Sequence, residues 1–313
     1  MKKVSFWLLT AVAVAGMATA TTSCGDDNDG GNTDGSKVDP STIASANLIA
    51  YFPFEGDGKD VVGNLTPSST GTGITYPAGQ CGKSYKGAEA GYLLYDLPAS
   101  SKIKTLKAFS ISLWAKMVPN TTATTDAPEQ MLFQVDGKGD WIWGNLFFLQ
   151  HRNWPESETD KDKNFAEMDC YFWKDDAIAW KGQRGSGWFQ NVQNNQWVHI
   201  ICTYDNVASE FHAYVNGTLI TAFDGTEYQG IKRWQEESAD NSNAAPLGDL
   251  KFNAPEHLAI GAWANKALGT DLVEDAWASS FKGQLDELRF YDKGLTAAEV
   301  AELYAAEQSQ IEE

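Results

Sequence analysis

Positive charge is scarce in this sequence: 24 Lys and Arg stand against 42 Asp and Glu in 313 residues, a formal net charge of −18. That deficit excludes nucleic acid as a partner, because phosphates need a basic face. It also excludes unaided adsorption to an anionic membrane surface. There are four Cys and no Cys-x-x-Cys pair, so neither a zinc site nor a dithiol redox site is expected. No Gly-x-Ser-x-Gly elbow is present. The glycines around Lys138 and from Gly182 to Gly187 lack the spacing and the Lys-Ser/Thr ending of a phosphate loop. The apolar run Val4 to Ala20 is shorter than the ~20 residues a bilayer-spanning helix needs.

What is present is an ordinary folded composition, 42% hydrophobic and 21% charged, with an unusual aromatic load of 12 Trp, 11 Tyr and 15 Phe. The length suits one large all-β domain or two smaller ones. Met1-Lys2-Lys3, the apolar run and a small-residue exit have the layout of a secretory signal peptide. Thr22-Ser23-Cys24-Gly25 resembles a bacterial lipobox, with Thr21 where Leu is usual, and Gly25-Asp26-Asp27-Asn28-Asp29 is similar to the acidic tag of Bacteroidetes surface lipoproteins. The resemblance implies that residues 1–23 are removed, that Cys24 is lipidated, and that the chain sits on the outer membrane facing outward. Losing Lys2 and Lys3 and no acid takes the charge from −18 to −20. Residues 24–44 are Gly, Asp, Asn, Ser and Thr with little that is apolar, and are expected to form a flexible tether to a domain spanning 45–313.

Of the remaining Cys81, Cys170 and Cys202, at most two can pair, and which is open; Cys202 lies in an apolar run and is expected to be buried. The domain reads as short strands between turn clusters. Leu48–Phe54, Phe109–Met117, Trp197–Tyr204, His257–Gly261 and Gly283–Tyr291 are predicted strands. Asn216-Gly217 between two apolar runs predicts a tight hairpin turn. Thr296 with Glu299 three residues on is a capping box for one C-terminal helix, whose Val300, Leu303 and Tyr304 share a face. Many strands and one short helix point to an all-β, two-sheet antiparallel sandwich.

The runs Leu48–Asn64, Ala108–Lys116, Gln196–Asp205 and Phe281–Val300 together resemble laminin-G-like domains of the concanavalin A-like lectin/glucanase superfamily. The resemblance implies a jelly-roll sandwich. It leaves function open, since that fold hosts glycan-binding modules, protein-binding adhesive modules and glycoside hydrolases.

Three chemistries compete. Glu55, Asp57 and Asp60, spaced by Gly56 and Gly58, could turn several oxygens toward a structural calcium ion, and the resemblance adds Asp286. Against this, Asp and Gly also build plain turns. Glycosidases need two facing carboxylates, and the superfamily's glucanases place Glu-x-Asp-x-Glu on one strand. Glu167-Met168-Asp169-Cys170-Tyr171 has the first two acids and an aromatic in place of the third, and adjacent Asp286 and Glu287 face opposite ways, so no enzyme is expected. The third chemistry is sugar binding, in which rings stack on pyranose faces and amides and carboxylates bond hydroxyls. Trp154, Trp188, Trp234, Trp263 and Trp277 are the candidate ligand contacts; Trp154 and Trp188 lie in a long aromatic-rich insertion between the Trp114 and Trp197 strands, and the other three in later loops. Trp114 and Trp197 themselves are expected in the core. The combined expectation is a surface lipoprotein, touching membrane only through its lipid, that captures poly- or oligosaccharide for neighbouring transport or hydrolase partners.

Overall fold

Short alternating runs pair into two stacked sheets, seen in a computed structural model that describes residues 37–119, 129–138, 144–151, 165–174, 189–220, 245–270 and 278–311. Among these residues the elements are β1 (Leu48–Phe52), β2 (Ser69–Thr70), β3 (Tyr85–Lys86), β4 (Leu93–Asp96), β5 (Phe109–Lys116), β6 (Glu129–Val135), β7 (Leu146–Gln150), β8 (Phe165–Phe172), β9 (Phe189–Gln193), β10 (Trp197–Asp205), β11 (Glu210–Val215), β12 (Thr218–Leu219), β13 (His257–Ile260), α1 (Ala264–Leu268), β14 (Ala278–Ser280), β15 (Gln284–Tyr291) and α2 (Ala297–Gln310). Seven of these strands form one sheet, ordered β1-β15-β5-β10-β11-β12 with β3 also on β15. Eight form the other, ordered β2-β4-β13-β6-β7-β8-β9 with β14 also on β6. Every pair is antiparallel except β14 with β6. The architecture is the expected all-β sandwich.

Period-two alternation decides which side chains face inward. In β5, Phe109, Ile111, Leu113 and Ala115 enter the core, and in β10 Val198, Ile200, Cys202 and Tyr204 do the same. From the second sheet, Phe133, Phe148, Met168, Cys170 and Phe172 meet them. Ring pairs tie the two sheets: Phe133 on Phe290 and Phe109 on Phe172, each at 5.2 Å and edge-on. The Asn216-Gly217 turn forms as read, with φ of 49° and 72°. Cys81, Cys170 and Cys202 are all buried.

α2 lies on the outer face of the seven-stranded sheet. Its start is the predicted capping box, with Thr296 accepting from the Glu299 N–H while Glu299 accepts from the Thr296 N–H. Val300 and Leu303 pack on Tyr51, Ile201, Tyr214 and Tyr291. Beneath the last turns sits a buried ion network. Arg289 reaches Glu307 with one nitrogen and Glu287 at 2.5 Å with the other, and its guanidinium lies 4.0 Å over the Tyr51 ring. Glu307 also accepts from Trp114 at 2.7 Å and faces His199 at 3.0 Å. Trp114 is therefore buried, but under a helix and not between the sheets.

Two expectations need correction here. The tether does not run loose as far as residue 44: Asp39 caps a turn at Pro40–Thr42, Pro40 is buried, and Ile43 packs beside α2. Gln310 donates back to the Val38 carbonyl at 3.2 Å. Proline's fixed φ and the Asp39 cap order this stretch despite its polarity. Likewise, the described parts of the long insertion between the Trp114 and Trp197 strands include four neighbouring strands, β6 to β9, of the second sheet.

Candidate functional site

In β8 the core takes Ala166, Met168, Cys170 and Phe172, so Glu167, Asp169 and Tyr171 project together from the other face. Register sets their neighbours. Tyr171 opposes Phe147, Asp169 opposes Leu149, and Met131 opposes Leu149 from the far side. Tyr171 and Phe147 stack at 4.6 Å with planes 14° apart, and Trp263 lies 6.3 Å from Phe147. One end of this face thus carries carboxylates and the other carries rings. Tyr171 and Trp173 keep part of their surface open, whereas Glu167 and Asp169 are buried.

His151, just beyond β7, joins the two outer strands of this group. Its N–H donates to the Glu167 carbonyl at 2.8 Å. Its imidazole lies 3.2 Å from Glu129 through Nδ1 and 3.5 Å from Asp169 through Nε2. Burial alone would lower the pKa of His151, but hydrogen bonds and charge from Asp169 and Glu129 outweigh it and raise it to about 9. The cluster is therefore two carboxylates bridged by an imidazolium at neutral pH, with Glu167 beside it.

Glu129 and His151 were missed in the sequence because each stands at the end of an apolar run. The detectable signal was the alternation Phe147, Leu149, His151, which puts the histidine on the same face as the ring. Of the tryptophans proposed as ligand contacts, Trp263 is fully buried, packed with Met131, Phe147 and Leu149, and offers no free ring face. Trp154, Trp188, Trp234 and Trp277 lie outside the described residues, as does Cys24.

The four acids expected to bind calcium do not converge. Asp60 Oδ1 accepts from the N–H groups of Tyr51, Val62 and Gly63, each at 2.9 Å. Glu55 accepts from the Lys83 N–H, and Asp57 pairs with Lys59. Asp286 accepts from Gln80 and Cys81 at 2.8 and 2.9 Å. Burial and then the charge of Glu287 push the Asp286 carboxyl well above the ordinary range. Among the described residues no group of three or more His, Cys, Asp or Glu is placed to hold a metal ion. Asp60, Glu55 and Asp286 each accept backbone N–H groups of their own or a neighbouring turn, the role the sequence offered beside calcium.

No family model and no curated protein matches the chain. Solved structures do. The receptor-binding domain of the botulinum neurotoxin C/D mosaic serotype matches with a TM-score of 0.52 at 11% identity, over 83% of this chain and 51% of that one. The botulinum serotype D ligand-binding domain in complex with N-acetylneuraminic acid matches with a TM-score of 0.50 at 11% identity, over 85% and 52%. Domain 4 of a GH43 extracellular arabinanase from Geobacillus stearothermophilus, in complex with arabinotriose, matches with a TM-score of 0.48 at 20% identity, over 82% and 98%. The chain thus spans about half the length of the botulinum domains. What it shares with them is the fold, an antiparallel two-sheet β-sandwich.

Proposed function

We propose that this chain is a non-catalytic carbohydrate-binding lipoprotein, anchored through Cys24 at the outer surface of the cell, that captures poly- or oligosaccharide for neighbouring transport and hydrolase proteins. The observation that carries the reading is the outer face of β6 to β8, where Glu167, Asp169 and Tyr171 alternate beside the Tyr171–Phe147 stack. The part-exposed Tyr171 ring offers the apolar platform on which a pyranose face stacks, and the buried acids beside it, tied to His151, hold the strand that carries it. The same sandwich in a botulinum toxin domain is seen in complex with N-acetylneuraminic acid. Trp154, Trp188, Trp234 and Trp277 would extend the platform.

A glycan array followed by calorimetry tests this. Binding of a neutral glycan that weakens in Tyr171→Ala and in the tryptophan-to-alanine variants, with no release of reducing ends, is the expected result. Silence across the array, or binding indifferent to all these substitutions, overturns it. Growth of the host on labelled palmitate, comparing wild type with Cys24→Ala, tests the anchor separately.

A further inference from the structure

The seven-stranded sheet carries a second polar row at the end of its outer face not occupied by the Arg289 network. Lys86 of β3 opposes Gln284 of β15, Gln284 opposes Lys116 of β5, and Lys116 opposes Trp197 of β10. Directly opposed residues of an antiparallel sheet share a face. Tyr85, Leu285, Ala115 and Val198, their chain neighbours, all enter the core, which fixes that face as the outer one. All four side chains in the row are partly exposed. Trp197, expected in the core, therefore has ring surface open beside a cation.

The two ammonium groups are unusual in this chain. With 42 acids against 24 bases, a lysine should find a carboxylate easily. Yet neither Lys86 nor Lys116 has one within ion-pair distance among the described residues, whereas Lys282 nearby is paired with Glu89. Lys86 is instead steered by a 2.6 Å hydrogen bond to the Lys282 carbonyl. Its pKa is lowered, by burial first and then by the like charge of Lys116, so the two cations feel each other. Across four strands the row measures about 14 Å at the usual interstrand spacing, the length of a short oligosaccharide.

We propose that this row is a second saccharide-binding strip, specific for an acidic oligosaccharide whose carboxylate or sulfate groups lie between Lys86 and Lys116, with Gln284 bonding a hydroxyl and Trp197 stacking on a ring. Charge-assisted hydrogen bonds supply the affinity, and a cation pair in an otherwise acidic molecule supplies the selectivity by repelling nothing but other cations while the rest of the surface repels anions. The strip is separate from the Tyr171 face and does not depend on it.

The test is calorimetry on the full chain at low and high salt with three probes: trigalacturonic acid, its methyl ester, and a sulfated trisaccharide. At least one anionic probe is expected to bind, more weakly at high salt. Lys86→Gln with Lys116→Gln, and separately Trp197→Ala, are expected to weaken it about tenfold or more. The methyl ester is expected not to bind, a comparison that needs no variant to fold. Which anionic probe binds distinguishes carboxylate from sulfate. Tyr171→Ala and Glu167→Gln, which probe the other sheet, are expected to leave anionic binding unchanged while neutral-glycan binding falls. Failure of both anionic probes, equal binding of acid and ester, wild-type binding by the double lysine variant, or loss of anionic binding in Tyr171→Ala each overturns the strip.

Discussion

The outer faces of the two sheets follow the same alternation and end differently. On the seven-stranded sheet the non-core positions Trp114, His199, Glu287 and Arg289 are covered by α2, and their polar atoms close on Glu307 and Tyr51. On the eight-stranded sheet the non-core positions Glu129, His151 and Asp169 close on one another, beside a ring stack that keeps an open edge. Both clusters bury charge, which is costly unless each charge finds a partner. In the first, a helix from elsewhere in the chain supplies that partner. In the second, the partner comes from neighbouring strands of the same sheet. A polar outer face can thus be a docking surface for the chain's own helix or a site in its own right, and the covering element distinguishes them.

The sharpest way to break the first face is Arg289→Leu. It removes the cation shared by Glu287 and Glu307, all three nearly fully buried. Removing one partner of a buried pair leaves uncompensated charge and costs about 3–5 kcal/mol. Denaturant unfolding should show that loss. The double variant with Glu307→Gln should recover part of it, because the second change removes one stranded carboxylate.

The second face is next, and it is distinguished by pH. The folded pKa of His151 is about 9 against an ordinary 6.5. A raised pKa contributes stability that is complete below about 6.5 and is lost as pH climbs through about 9, amounting to about 3 kcal/mol. Wild-type stability should therefore fall across that window. His151→Gln should be less stable at pH 6 and nearly flat from there to pH 9. An unchanged slope in the variant would remove His151 as the bridging cation.

The seven-stranded sheet was the more legible in sequence. β1, β5, β10, β11 and β15 stand out because their alternation is long or their turn is Asn-Gly, and α2 because its cap is local, whereas β13 alone stands out in the other sheet. β6 to β9 were hidden because runs such as Leu146–Gln150 are apolar on both faces, which erases the period-two signal. The same burial hid the site: Glu129 and His151 are 22 residues apart in sequence and meet only through the β6–β7 register. Glu167 and Asp169 were legible as a same-face pair. Trp197 was misread because a strand tryptophan is usually core, and only its neighbours' inward positions show that it faces out. Calcium binding was not decided by the sequence because Asp and Gly at those spacings satisfy backbone N–H groups as readily as a cation.

A smaller effect tests how far α2 depends on local signals. Thr296→Ala removes the hydroxyl that accepts from the Glu299 N–H and leaves the backbone N–H of residue 296 to donate to Glu299, and helix caps contribute about 1 kcal/mol. The variant should lose about that much stability, a fraction of the Arg289 effect, while neutral-glycan binding at the Tyr171 face stays unchanged. If the loss matched that of Arg289→Leu, the helix would be nucleated by its cap and the ion network would be secondary.

The smallest expected effect concerns the turn carrying Asp60. Its Oδ1 accepts three backbone N–H groups, and Asn retains a carbonyl oxygen in the same place. Asp60→Asn should therefore fold with nearly wild-type stability, and chelator should not move the unfolding transition of either protein. Asp60→Ala leaves those three donors without their acceptor and should cost about 1–3 kcal/mol. A metal-held turn gives the opposite order: chelator destabilises wild type, and Asp60→Asn is nearly as damaging as Asp60→Ala because a neutral amide is a far weaker ligand for a hard cation than a carboxylate. The ranking of Asn against Ala, read with and without chelator, thus separates an acid that organises its own backbone from one that organises an ion.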